Sequence, residues 1–128
     1  MGVATVSKTV GWVSSPLEFE SSVFCHCMDK LVRDKIPEIV EANGASDKYT
    51  FNVCKDKDEK IGRLLDKVNE EAAELVADPS LEEMADVLEV IYALAETMGF
   101  SSEELENVRQ TKQKLRGGFK KGFIIKSK

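Results

Sequence analysis

Four acidic side chains are spaced so that they could share one divalent cation. They form two pairs with three-residue spacing, Glu71 with Glu74 and Glu83 with Asp86, and residues three apart are neighbours on one helix face. Two such helices packed antiparallel would point both pairs at one volume. Oxygen-only clusters suit hard cations such as Mg²⁺. The spacing therefore predicts a Mg²⁺ site, with Mn²⁺ as a substitute ion, and Mg²⁺ usually implies phosphate chemistry.

The charge of the chain is unevenly distributed around these acids. Residues 68–108 contain 12 acids and no Lys, Arg or His, which leaves 11 acids against 18 Lys and Arg elsewhere. An acidic centre framed by basic segments suits a polyphosphate ligand better than nucleic acid, which the acidic part would repel. The alternative interpretation is that the acids solvate a helix surface. The protein would then be a non-enzymatic helical module with a binding or regulatory role.

Length and composition indicate one intracellular globular domain. A chain of 128 residues has room for one core, and 42% hydrophobic with 32% charged residues is ordinary for a soluble protein. No apolar run approaches the ~18 residues of a membrane span, and no compact signal-peptide core is visible. The three cysteines, Cys25, Cys27 and Cys54, form no disulfide framework. We therefore expect reduced thiols, a cytoplasmic location and no membrane partner.

The first 27 residues differ from the rest of the chain. They mix Val, Ser, Thr and Gly without a sustained period and are interrupted by Pro16. We expect a poorly ordered extension there, or one weak strand near Thr9–Val13. Strong patterning begins at Met28, so the predicted domain covers residues 28–128.

The predicted fold is all-α, a bundle of about four helices. Each helix is expected to follow a capping residue. The expected caps are Asp34, Asp56, Ser80 and Ser101, and the predicted ranges are 34–43, 57–77, 81–98 and 101–115. The third helix is apolar almost all round, so it should be the buried centre. Segments 49–54 and 122–126 are rich in β-forming residues and predict a small two-stranded addition. Oligomerisation should complete the bundle, since so apolar a helix needs more cover than one short chain supplies.

Helical-wheel positions separate the acids into different environments. Glu71 lies about 80° and Glu74 about 140° from the centre of the apolar stripe of the second helix. Glu70 lies nearly opposite that stripe, so we expect it to face solvent. Glu83 and Asp86 share the azimuths of apolar residues in the third helix. Acids seldom lie on a buried face unless they bind something, although Glu83 could instead be the third residue of a capping box.

Two sets of motifs resemble one enzyme superfamily. Glu70-Glu71-Ala72-Ala73-Glu74 followed by Glu83-Met84-Ala85-Asp86 resembles the E-E-x-x-E and E-x-x-D motifs of the all-α NTP pyrophosphohydrolases. This superfamily includes MazG-like and phosphoribosyl-ATP pyrophosphohydrolase-like proteins. The run from Lys30 to Ile39, KLVRDKIPEI, is similar to the opening of a small single-domain branch, and Arg116-Gly117-Gly118-Phe119 is similar to its ending. The resemblance covers Met28 to about Lys126.

The resemblance implies an enzyme that hydrolyses a nucleoside triphosphate, or a related nucleotide, to the monophosphate and pyrophosphate. Carried over position by position, Glu71, Glu74, Glu83 and Asp86 would hold Mg²⁺, and Glu70 would orient or deprotonate the attacking water. Members are typically dimers or tetramers, so a homodimer or homotetramer is expected. The alternative enzyme is the phosphoribosyl-ATP pyrophosphohydrolase of histidine biosynthesis, which shares the metal motif.

Cationic side chains should complete such a site, because Mg²⁺ leaves much of a triphosphate's charge uncovered. Arg33 and Lys35 are the first candidates for substrate binding, followed by Lys112 and Arg116. Each could equally be an ordinary surface cation. Three aromatic residues could stack on a base or belong to the core: Tyr49, Phe51 and Phe119.

Overall fold

A computed structural model of the chain describes residues 29–128. This part contains four helices and no strand: α1 Ile36–Ala42, α2 Lys57–Ala77, α3 Leu81–Thr97 and α4 Ser102–Arg116. The predicted all-α class is confirmed. No helix within residues 29–128 has both the length and the apolar character needed to cross a membrane. The expected extension over residues 1–27, its weak strand and its cysteines lie outside the described residues.

Capping residues explain where α2 and α4 begin. A carboxylate oxygen of Asp56 accepts a hydrogen bond from the backbone N–H of Glu59 at 2.8 Å. Ser101 and Glu104 form a full capping box, in which each side chain accepts from the other residue's backbone N–H, at 3.0 and 2.9 Å. These bonds satisfy N–H groups that have no partner within the helix. The starts predicted from the sequence are therefore confirmed.

The first helix begins two residues later than predicted. Asp34 was the expected cap, but α1 starts at Ile36, and Lys35 occupies the cap position without a side-chain hydrogen bond. The backbone N–H of Ile36 instead bonds the carbonyl of Arg33 at 3.0 Å, which closes a turn. Pro37 then falls in the first helical turn, where its missing N–H costs nothing.

The helices α2 and α3 form the main packing unit. They are joined by residues 78–80 and make the most extensive helix–helix contact of the described chain. So short a connection requires neighbouring helices to run antiparallel. The residues buried on this hairpin are Leu64, Val90 and Ala95 together with two acids, Glu71 and Glu83. The antiparallel arrangement that the acid pairs require is therefore present.

A second, smaller core surrounds α1. Ile36, Val40 and Ala45 are buried together, and the side chains of Val32, Ile39 and Tyr49 pack against them. This cluster fixes the chain on both sides of α1. Because Val32 precedes α1 and Tyr49 follows it, the cluster positions the chain segments on both sides of the helix.

The expectation that α3 is the buried centre of the bundle is wrong for the single chain. One of its faces is open, with Leu81 79% exposed, Met84 53%, Leu88 50% and Tyr92 42%. These residues recur every three or four positions, so they lie on one side of the helix. Among the described helices, only α2 covers α3 extensively, and α4 contacts it much less.

The predicted two-stranded addition does not form within the described residues. Neither segment 49–54 nor segment 122–126 is a strand. A strand needs a partner for its backbone N–H and C=O groups, and residues 122–126 are exposed to solvent instead. The first segment contributes to packing instead, because Tyr49 packs on the core around α1.

Candidate metal centre

Three acids predicted as metal ligands converge between α2 and α3. Glu71, Glu83 and Asp86 each offer a carboxylate oxygen, and these oxygens lie within 4.8 Å of one another. Glu71 projects from the second half of α2, whereas Glu83 and Asp86 lie on the first two turns of α3. Since the short 78–80 link folds α3 back along α2, the two motifs face each other. The acids that are spaced three residues apart in the sequence thus contribute to one shared site.

The three carboxylates differ in burial. Glu83 is 0% exposed and both of its carboxylate oxygens are buried, and Glu71 is 8% exposed. The side chain of Asp86 retains 34% of its exposure, so it forms the open edge of the group. The hydroxyl oxygen of Ser80 accepts from the backbone N–H of Glu83 at 3.3 Å. Capping by Ser80 therefore accounts for the backbone of Glu83, whereas the buried side chain belongs to the acidic group.

Glu74 lies beside this group rather than in it. It follows Glu71 by one turn of α2 and is half-buried, but it is not one of the three converging residues. Burial raises the pKa of the Glu71 carboxyl, and the negative charges of Glu74 and Asp86 also raise it, against the opposing charge of Lys67. This mutual repulsion is what a bound cation would relieve.

Two lysines partly neutralise the centre. The ammonium group of Lys67 pairs with Glu70 and lies 3.3 Å from a carboxylate oxygen of Glu71. The ammonium group of Lys30 lies 2.6 Å from the other carboxylate oxygen of Glu70. Burial alone would lower the pKa of Lys67, but Glu70 and Glu71 outweigh it and raise that pKa. Lys67 therefore remains charged near neutral pH.

The environment of Glu70 differs from the expectation that it faces solvent. Its side chain is only 23% exposed, because the segment before α1 brings Lys30 over this side of α2. Burial would raise the pKa of Glu70, but the ion pairs with Lys30 and Lys67 outweigh it and lower that pKa. A helical wheel describes one isolated helix, so it does not include contacts with a segment that is distant in sequence. Glu70 is consequently a firmly ionised carboxylate at the edge of the site.

Arg33 reaches the centre from the same segment. One guanidinium nitrogen of Arg33 donates to a carboxylate oxygen of Asp86 at 2.7 Å. At the other end of the segment, the guanidinium of Arg63 donates to the backbone carbonyl of Asp29 at 3.0 Å. Residues 29–33 are therefore attached to α2 at Asp29 and Lys30 and to α3 at Arg33. They lie across the hairpin as one edge of the site.

The other three predicted cations are not joined to the acids. Lys35 is exposed at the start of α1, and Lys112 and Arg116 are exposed in the last turns of α4. Within residues 29–128, no ion pair links any of them to the acidic group. Their roles in substrate binding stay predictions.

The cations that sequence reasoning missed are Lys30 and Lys67. Lys67 precedes Glu70 and Glu71 by three and four residues, which is the spacing of helix ion pairs. Lys67 lies one position before the cation-free stretch. Its three- and four-residue spacing to Glu70 and Glu71 could have predicted the ion pairs. Lys30 lies within the motif that opens at residue 30, but its pairing with Glu70 depends on tertiary structure.

The donor set and the charge of the site fit a hard divalent cation. The donors are all carboxylate oxygens, as Mg²⁺ prefers. When every group is ionised, five carboxylates and three cations give the described residues of the site a charge of −2. One divalent ion would balance that charge. The members are Glu70, Glu71, Glu74, Glu83, Asp86, Lys30, Arg33 and Lys67.

Comparison with known proteins adds no relative to this description. The chain matches no protein-family model, no curated protein and no solved structure. The resemblance to the all-α NTP pyrophosphohydrolases therefore stays a prediction that depends on the motifs of the chain.

We predict that millimolar Mg²⁺ raises the melting temperature by several degrees, measured by differential scanning fluorimetry. Binding to the native state adds RT ln(1 + [L]/Kd), about 2.7 kcal/mol at a hundred times Kd. Asp86→Asn should lose most of this increment. Glu96→Gln removes an exposed acid of the same helix and should retain it. NaCl of equal ionic strength should not reproduce the effect, and equal increments in both variants would contradict a metal site at Asp86.

Proposed function

We propose that the protein is a Mg²⁺-dependent nucleotide pyrophosphohydrolase of the all-α NTP pyrophosphohydrolase superfamily. It cleaves a nucleoside triphosphate, or a related nucleotide, between the α and β phosphates, and one water is consumed to give the monophosphate and pyrophosphate. The observation that supports this most is the position of Lys67 and Arg33 beside the converging carboxylates. Lys30 adds a third cation through its pair with the adjacent Glu70. Carboxylates alone would suit a cation. Carboxylates with adjacent cations suit a ligand that combines a metal with phosphates.

The proposed metal ligands are Glu71, Glu83 and Asp86, with Glu74 close enough to join them. Bound Mg²⁺ would polarise phosphate oxygens and lower the pKa of an attacking water. The chain itself contributes the fixed geometry. Glu83 is buried at the first turn of α3, so its carboxylate is held in place before any ligand arrives. Preorganised charge of this kind is a large term in catalysis.

Arg33 is the cation best suited to bind a phosphate. Its side chain is 49% exposed, compared with 19% for Lys67 and 20% for Lys30. The planar guanidinium can donate two hydrogen bonds to one phosphate. An ion pair this exposed contributes little stability. Arg33 can therefore leave Asp86 and turn to a phosphate at small cost, which also frees Asp86 as a ligand.

Glu70 is suited to orient water rather than to remove its proton. Its lowered pKa keeps it ionised at neutral pH, and an ionised carboxylate accepts hydrogen bonds from water. A general base works best when its pKa lies near the working pH. Lys30 and Lys67 therefore hold Glu70 as a fixed acceptor at the edge of the centre.

We predict Mg²⁺-dependent release of pyrophosphate from at least one nucleotide in a panel of common and modified nucleoside triphosphates. Phosphoribosyl-ATP in the same panel tests the alternative enzyme. Glu83→Gln should lower turnover at least a hundred-fold, because a buried ligand is lost, whereas Glu89→Gln, which alters an exposed acid of the same helix, should not. Absence of pyrophosphate release throughout the panel, or wild-type turnover by Glu83→Gln, would rule out this function.

We further propose that a second copy of the chain covers the open face of α3. Leu81, Met84, Leu88 and Tyr92 form a continuous exposed apolar stripe. Apolar patches of this kind on a protein surface usually mark an interface. A two-fold contact would pair the stripe with itself. The proposed assembly is a homodimer, or a homotetramer built from such dimers.

Light scattering at micromolar concentration should therefore give at least twice the mass of the chain. Leu88→Glu places a charge in the middle of the stripe and should yield monomers, because an unpaired charge is costly at a buried contact. Ile125→Glu is the matched control, since Ile125 is 96% exposed near the end of the chain. A monomeric wild type, or an unchanged mass for Leu88→Glu, would refute the assembly.

A further inference from the structure

A groove lies next to the acidic centre. Its volume is about 730 Å³, within the range of about 300–1,000 Å³ that is usual for small-molecule sites. It is lined by the segment 29–32, by the segment 48–54, and by Glu59 and Arg63 from the first turns of α2. The segment that failed to form a strand is therefore one side of a cavity.

The lining of the groove combines aromatic, amide and cationic groups. Tyr49 and Phe51 supply aromatic rings, and Asn52 supplies an amide that can both donate and accept hydrogen bonds. Lys30, Lys48 and Arg63 outnumber the acids Asp29 and Glu59. Aromatic rings stack on nucleobases whatever their sequence, and amides read base edges. Two of the cations already have acidic partners, Lys30 with Glu70 and Arg63 with Glu59. This mixture suits the base and sugar of a nucleotide better than a purely apolar ligand.

Lys30 links the groove to the acidic centre. Lys30 lines the groove, and its ammonium group lies 2.6 Å from the carboxylate of Glu70 in the centre. On α2, Arg63, Lys67 and Glu71 follow one another at intervals of four residues, so they lie along one side of the helix. Arg63 and Glu71 are about 12 Å apart along the axis at 1.5 Å per residue. An extended nucleotide can bridge that length.

We propose that this groove binds the nucleoside part of the substrate while its phosphates occupy the acidic centre. The proposal rests on the proposed function for its orientation, with Lys30 at the junction of the two parts. Phe51 is the residue expected to stack on the base. Tyr49 packs on the core around α1 and holds the segment in place. Asn52, which is exposed, is positioned to select among base edges.

The test compares ligands with and without a nucleoside. Calorimetry would measure the binding of inorganic tripolyphosphate and of four α,β-methylene ribonucleoside triphosphates, which resist cleavage, to the full chain in the presence of Mg²⁺. Phe51→Ala should weaken the best nucleotide analogue about ten-fold, the loss typical of one base–aromatic stack, and leave tripolyphosphate binding unchanged. Phe123→Ala alters a ring that is 88% exposed and does not line the groove, so it should behave as wild type.

Other outcomes would overturn the proposal in distinguishable ways. An equal loss for tripolyphosphate, no loss in Phe51→Ala, or the same loss in Phe123→Ala would each refute the groove. Pyrophosphate release that persists with unchanged KM in Phe51→Ala would leave the function intact and remove only the groove. Binding that depends on Phe51 without any cleavage would support the groove and reject the enzyme. If Phe51→Ala unfolds by circular dichroism, Asn52→Ala should alter the ranking of the four analogues, and an unaltered ranking would refute the groove.

Discussion

Burial of negative charge between α2 and α3 is the constraint around which the structure is arranged. Glu83 is completely buried and Glu71 nearly so, and a carboxylate removed from water is costly unless charge or hydrogen bonds compensate it. Lys67 on α2 lies 3.3 Å from a carboxylate oxygen of Glu71 and offsets its charge. The segment 29–33 brings Lys30 to Glu70 and Arg33 to Asp86 at the edge of the acidic group. These contacts and the small core around α1 place the segment beside the hairpin.

A buried group of carboxylates contributes little to the stability of the fold, and it suits the proposed binding of a cation. Apolar residues in place of buried charges often stabilise a protein, so the acids are not required to fasten α2 to α3. The described residues of the site carry an excess of negative charge when all are ionised, and burial together with the neighbouring acids raises the pKa of Glu71. Both features favour the proposed binding of a cation. In the proposed function, the groove, which shares Lys30 with the centre, would extend the site toward a larger ligand.

Local rules predicted the parts of the structure that depend on neighbouring residues. Asp56 and Ser101 marked the starts of two helices because their side chains satisfy nearby N–H groups. The three-residue spacings placed Glu83 and Asp86 on one side of α3, and the short link then brought them to Glu71. Helix geometry alone was enough for this much of the site.

The remaining features depend on segments far apart in the chain. The pairing of Lys30 with Glu70 depends on the path of residues 29–33, and no periodicity in the sequence predicts that path. The prediction that Glu70 faces solvent was wrong for this reason. The β-forming composition of residues 49–54 predicted a strand that does not form, because composition alone could not supply a partner strand. The apolar pattern of α3 likewise shows that one of its faces must be covered. It does not identify the surface that covers this face.

The most direct test of the central claim is Mn²⁺ binding followed by electron paramagnetic resonance. Mn²⁺ prefers the same oxygen ligands as Mg²⁺, and the free ion's signal falls when the ion binds to protein. The full chain should deplete this signal in proportion to its concentration, Mg²⁺ should restore it, and Glu83→Gln should abolish the depletion while Glu89→Gln preserves it. Depletion by Glu83→Gln equal to that of the wild type would show that the buried carboxylate between α2 and α3 is not a metal ligand.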